Sequence, residues 1–173
     1  ADRNEMIERA KSAGISKMML PNIDESSVPD MWKLVQQYPS QCFPMMGLHP
    51  CHVKADFQKE LNLAEEWLKK RSFIGIGEIG LDLYWDKSFL EEQKIAFRTQ
   101  IKWALDYNYG ISIHCRDAFD PLYEILTSFN KLPRAVFHCF SGNLEQANKI
   151  IELGNFKLGI GGVLTFKNGG LDK

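Results

Sequence analysis

The sequence predicts an α/β protein built as a TIM (β/α)8 barrel, incomplete in this chain at about six of eight strand–helix units. Two observations carry that prediction. Short apolar segments alternate with helix-like ones six times over, which calls for a parallel sheet covered by helices. Several of those apolar segments also end in a side chain able to do chemistry: His49, Glu78, His114 and His138. An open doubly wound sheet gathers its site at one switch point, whereas a barrel delivers groups from many strand ends to one face.

Residues 1–14 read as a helix, with Met6, Ile7 and Ala10 on one face and Gly14 as its stop. A short apolar strand follows at 17–21. The next helix, 26–38, is entered through Asp24, Ser26 or Ser27 as candidate caps. The second strand, 42–48, ends at His49-Pro50, and 57–71 is amphipathic, with Leu61, Ala64, Trp67 and Leu68 three and four apart. The third strand begins at Phe73, with Ile74 and Ile76 as further apolar residues; it ends at Glu78, and Asp82 falls in the turn beyond. A loop at 83–87 leads to a long helix, 88–107, with Glu91 and Glu92 in the first turn, where the helix dipole favours acids. Strands at 111–114, 135–138 and 156–161 alternate with helices at 119–130 and 144–153, the latter closed by Gly154. Residues 163–173 read as loop and the start of another helix.

At 173 residues, 45% hydrophobic and 25% charged, the chain supports a single domain over 1–173 with one substantial core. A net charge of −1 gives no broad basic face, so any phosphate binding is local. No apolar run approaches the roughly 20 residues of a membrane span. Residues 1–11 are charged and helix-like, unlike a secretory leader. Cys42, Cys51, Cys115 and Cys139 show neither C-x-x-C pairs nor a disulfide framework, which points to reduced, buried thiols in a cytoplasmic protein. A closed barrel takes ~250 residues. A chain that starts on a helix and stops after a sixth strand therefore leads us to expect further strands on either side.

Glu78 raises the central question, because an acid ending an apolar strand is costly to bury unless a cation, donor or metal meets it. Glu78, His114 and His138 form a plausible metal set, since imidazole and carboxylate are the ligands of hydrolytic divalent ions and a carboxylate can bridge two of them. Taken singly, each histidine also has an ordinary reading as a hydrogen-bonded core residue. Strand alternation would send Cys115 and Cys139 away from the mouth, toward the helices. A Cys51, His49, His52 zinc site is the less regular alternative, with spacing unlike the usual clusters. Arg116, two residues past His114, either grips an anionic oxygen or pairs with Asp117 or Asp120. His49 either donates to a substrate phosphate or starts a helix. Tyr84 and Trp85 lie in a loop where aromatics stack on a base or pack on the rim. The run from Gly75 to Gly80 spells G-x-G-x-x-G, but no helix opens after it and Glu78 would repel a pyrophosphate.

These segments resemble the motifs of the TatD family of metal-dependent deoxyribonucleases: GLHP (47–50), GEIGLD (77–82), IHCRDA (113–118), HCFSG (138–142), GIGG (159–162) and LTFKN (164–168). Gly110 stands where the family often has proline. The resemblance implies an amidohydrolase-like barrel holding divalent ions, magnesium, manganese or zinc and two of them here. It also implies Glu78 as the carboxylate bridging both ions and central to catalysis, His114 and His138 as further metal ligands, and His49 and Arg116 near the substrate phosphate. The family's H-x-H pair and final-strand aspartate are expected outside residues 1–173. The expected activity is hydrolysis of phosphodiester bonds, with DNA or another phosphodiester as substrate and no obligate protein partner. Lactone or amide hydrolysis, or a metal-binding scaffold without activity, are the alternatives.

Overall fold

The computed structural model describes residues 2–170. Six strands lie parallel in sequential order, each followed by a helical segment, and the sheet curls into part of a barrel. In chain order the elements are α1 (Arg3–Ser12), β1 (Met18–Leu20), α2 (Val28–Gln37), β2 (Cys42–Met46), α3 (Phe57–Lys70) and β3 (Gly75–Asp82), followed by α4 (Leu90–Asp106), β4 (Gly110–Arg116), α5 (Phe119–Thr127), β5 (Ala135–Phe137), α6 (Leu144–Glu152) and β6 (Phe156–Leu158). Short 3-10 turns precede α2, follow β2 and occupy Gly162–Thr165. The helix expected to start near the end of the chain is such a turn as far as it can be followed, and residues 171–173 lie outside the described residues.

The core lies between the sheet and its helices. Ile76, Ile79 and Leu81 of β3 and Ile111 and Ile113 of β4 meet Leu61 of α3, Phe97 and Ile101 of α4 and Leu122 and Ile125 of α5. Each such side chain contributes about 1.5–3 kcal/mol through burial. The three- and four-residue spacing in α3 buries Leu61, Ala64 and Leu68 as expected. In α1 only Ile7 is buried, and Met6 faces outward.

Several boundaries differ from expectation. The second helix begins at Val28, because Asp24 caps a separate 3-10 turn through a reciprocal pair of bonds with Ser27. Ile74 is 44% exposed, so β3 starts only at Gly75. The strand also does not end at Glu78. It continues to Asp82, which belongs to the strand rather than to a turn. The reason is Gly80: at φ +146° it lies so close to the His114 carbonyl that a Cβ would collide with it, and glycine alone lets β3 keep pairing with β4 as far as Arg116. The register slips between Ile76 and Ile79, and the freed peptide groups turn to β1's end: Asn22 N–H donates to the Gly77 carbonyl at 2.9 Å, and Glu78 N–H donates to the Asn22 carbonyl at 3.2 Å. Gly47 sits against the Gly77 carbonyl, which leaves no room for a side chain. The C-terminal ends of β1, β2 and β3 are thereby drawn together.

Helix α4 fixes two of those ends from below. Its buried Gln100 receives the Leu48 N–H at 2.7 Å and donates to the Leu48 carbonyl at 3.2 Å, beside His49. Gln93, two turns earlier, makes the same pair of bonds with Asp82.

Candidate metal centre

Glu78 sits at the register slip of β3, where the strand leaves its ladder and the side chain enters the barrel mouth with 12% exposure. Its Oε1 lies 3.2 Å from Nδ1 of His114 on β4. Burial raises a carboxyl's pKa, yet the His114 bond and the nearby His138 and His49 rings more than offset it, so Glu78 lies below its ordinary 4.5.

The other nitrogen of His114 is also taken. Nε2 lies 2.8 Å from Oδ2 of Asp82, a carboxylate only 2% exposed. Oδ1 of Asp82 accepts the N–H groups of Tyr84 and Trp85 at 3.1 and 3.3 Å. Burial opposes ionisation here as well, but these donors hold Asp82 below its ordinary 3.8. For His114 burial is a lowering influence, and the two carboxylates override it and raise the ring above 6.5.

This geometry dictates a charge. With its proton on Nε2, facing Asp82, a neutral His114 turns the Nδ1 lone pair toward the Glu78 oxygen. Two lone pairs at 3.2 Å repel, so something positive belongs between them: a second proton on the ring, or a metal ion. The donor chemistry therefore fits a divalent ion at Glu78 and His114, with Asp82 as the outer carboxylate that sets the tautomer.

His138 stands further off. The fifth strand stops at Phe137, one residue short of the expected end, so His138 lies exposed in the turn beyond it. It is near enough for its charge to act on Glu78, but its Nε2 lies 3.3 Å from the Sγ of Cys139. The alternation expected to send Cys139 toward the helices fails for the same reason: Cys139 is exposed, off the strand, at φ +46°. Cys115, still on β4, packs partly against the core as expected.

Among the described residues, the ligand-type atoms that lie within 4.8 Å of one another belong to His49, Cys51 and His114 rather than to Glu78, His114 and His138. Two of the three are already engaged. His49 starts the 3-10 turn Pro50–His52, and its Nδ1 accepts the Cys51 N–H at 3.1 Å, which leaves the ring proton on Nε2. His114 Nε2 serves Asp82. Burial pushes the Cys51 thiol up to about 11, with Asp82 adding to the effect. Burial and the neighbouring His114 push His49 down to about 4, so it is a neutral donor at physiological pH. The rings of His49 and His114 meet edge to face at 4.5 Å. His52 turns instead toward Asp24, at 3.6 Å, so the Cys51, His49, His52 set does not assemble.

Arg116 forms no ion pair with Asp117 or Asp120. Its guanidinium lies 3.7 Å above the Tyr84 ring and 5.5 Å from Trp85. Arg116, Tyr84, His138 and Phe140 line a cavity of about 550 Å³ between the loops after β4 and β5. Sequence reasoning noted Asp82 but misplaced it, and it overlooked Asn22, Gln93 and Gln100. The readable signal was two glutamines seven apart on the apolar face of one helix.

A family profile described as TatD related DNase matches residues 1–172. An uncharacterized metal-dependent hydrolase, YabD of Bacillus subtilis, is 33% identical over 96% of this chain and 65% of its own length. The 3'-5' ssDNA/RNA exonuclease TatD of Yersinia pseudotuberculosis is 30% identical over 99% of this chain and 66% of its own. The solved structure of YjjV, a TatD homologue from Escherichia coli, superposes with a TM-score of 0.86 at 32% identity, over 95% of this chain and 64% of that one. The chain thus spans just under two thirds of the length of these relatives.

Proposed function

The chain belongs to the TatD-related DNase family, and on that premise we propose that its protein hydrolyses phosphodiester bonds in nucleic acid, using two divalent ions at Glu78, His114 and His138. One observation carries the reading: His114 is gripped on Nε2 by buried Asp82 while Nδ1 faces Glu78 across 3.2 Å, a carboxylate–imidazole pair that suits a divalent ion in place of a second ring proton. Magnesium, manganese and zinc all suit a carboxylate–imidazole set.

Ions held by Glu78, His114 and His138 would supply Lewis acidity toward a phosphoryl oxygen and would make a nearby water acidic near neutral pH. The chain's own residues do the rest. Asp82 keeps the proton of His114 on Nε2 and so presents Nδ1 as a lone-pair donor. Glu78, ionised well below neutrality, brings the negative charge that a cation needs. His49, neutral with its proton on Nε2, donates to a non-bridging phosphate oxygen, and Arg116 offers its fork of donors to the next anionic group. His138 completes the set from the exposed turn. The four free cysteines suit a reducing, cytoplasmic setting. No helix of the described residues is long and apolar enough to cross a membrane.

The test is cleavage of single-stranded DNA by the intact protein with magnesium or manganese, beside Glu78→Gln. Loss of about a hundredfold or more is expected. Undiminished metal-dependent turnover in the variant would overturn the assignment.

A further inference from the structure

The loop after β3 leaves the strand at Asp82 and carries two large aromatics into solvent, Tyr84 at 51% exposure and Trp85 at 71%. It is not loosely attached. The Asp82 carboxylate that orients His114 also accepts the N–H groups of both aromatic residues, so the loop is pinned to the metal centre. The two rings stand perpendicular, centroids 4.8 Å apart, and Arg116 covers one face of Tyr84. Two exposed aromatics held in a fixed attitude present ready stacking faces.

We propose that Trp85 and Tyr84, buttressed by Arg116, seat an unpaired nucleobase of the substrate strand next to the scissile phosphate; the inference rests on the nuclease reading above. Three features favour a base as occupant. The chain's net charge of −1 gives no broad basic face, so sequence-tolerant stacking adds to the few local phosphate contacts in holding the strand. The adjoining cavity of about 550 Å³ is lined by Tyr84 and Arg116 as well as by His138, so a strand held there meets the Tyr84 side of the aromatic pair. That cavity also holds the acids Asp117 and Asp120, which repel phosphate and accept from the exocyclic amines of bases. Arg116 sits two residues beyond His114 on the same strand with its guanidinium over Tyr84, so one side chain buttresses the seat and stands near the linking phosphate. A base inside a duplex has both faces covered and must unstack before it can use this seat, so single strands are favoured.

The experiment measures cleavage by the intact protein in magnesium, with a short single-stranded oligodeoxynucleotide and the same strand made abasic at its 3′-terminal residues. Trp85→Ala should raise KM for the normal strand roughly ten- to hundredfold with kcat little changed. Trp85→Phe should restore most of the loss. For the abasic strand the wild type should already show the raised KM, and Trp85→Ala should raise it no further. An unchanged KM on the normal strand overturns the seat and leaves the nuclease reading standing. An equal loss on both strands makes Trp85 a structural residue and also overturns the seat. If the wild type cleaves neither strand, the nuclease reading falls and this inference falls with it.

Discussion

The side-chain amide of Gln93 brackets the backbone of Asp82, accepting its N–H at 2.9 Å and donating to its carbonyl at 3.1 Å. A buried side chain on a helix thus satisfies both peptide groups of the residue whose carboxylate orients His114. Position at the centre is set from the layer beneath it.

Replacing Gln93 by leucine keeps the volume and removes both bonds, stranding two buried backbone groups. The expected loss is about 1–3 kcal/mol, read as a lower denaturant midpoint with an unchanged slope. Gln100→Leu strands the two groups of Leu48 in the same way. The two sites share no partner, so the double variant should equal the sum of the singles within about 0.5 kcal/mol. A Gln93→Leu midpoint equal to wild type would mean that the bracket holds nothing.

Asp82→Asn keeps shape and an oxygen for the loop N–H groups but removes the charge facing His114 Nε2. Manganese affinity, measured by calorimetry, should fall about 10- to 100-fold. In the metal-free protein the His114 pKa, followed by NMR, should drop from its raised value toward 6.5. Manganese binding as tight as in wild type would remove Asp82 from the centre.

Stability without metal should peak near pH 6.5, because the two central histidines pull in opposite directions. His114 is raised above 6.5 in the folded chain, so its contribution is complete below 6.5 and is lost as pH rises through the folded value. His49 is lowered to about 4, so between 6.5 and 4 the unfolded chain binds the extra proton and stability is lost as the pH is lowered. Glu78 and Asp82, lowered from 4.5 and 3.8, contribute above those values and lose their contribution on further acidification. Urea titrations in EDTA across pH 4–9 should show the peak, and His49→Gln should flatten only the limb between 4 and 6.5. Stability still climbing from pH 6.5 to 8 would refute the charge state assigned to His114.

Much of the architecture was legible because it rests on periodicity. The three- and four-residue spacing of α3 and the alternation of strand with helix follow from burial alone, and both appear as read. Glu78 and His114 were legible as chemistry-bearing residue types on neighbouring apolar segments, and the structure brings their side chains to 3.2 Å. What escaped was local and non-periodic. The continuation of β3 past Glu78 depends on a backbone contact between Gly80 and His114, two residues 34 apart, which no window along the chain displays. The short β5, which leaves His138 in a turn, is likewise invisible in an apolar run that continues into it. Arg116 was read either as gripping an anionic oxygen or as pairing with Asp117 or Asp120, and its stacking over Tyr84 in the loop after β3 had no signal along the chain.

Gly80 gives the sharpest test of how the fold builds the centre. Its φ of +146° is one that side-chain-bearing residues rarely adopt, and a Cβ there would run into the His114 carbonyl. Gly80→Ala must therefore push β3 away from β4, and the pairs Gly80 with His114, Leu81 with Cys115 and Asp82 with Arg116 separate together. Because Asp82 and His114 face each other only through that register, the substitution damages the centre without touching a ligand. The expected cost is on the order of 3–5 kcal/mol, with manganese affinity lost even where the variant stays folded. Glycine-to-alanine at Gly162, where a Cβ meets nothing within 4 Å and the backbone is not left-handed, controls for backbone entropy and should leave manganese binding intact. If Gly80→Ala matched that control in both stability and metal binding, the close passage of β3 along β4 would not be what assembles Glu78, Asp82 and His114.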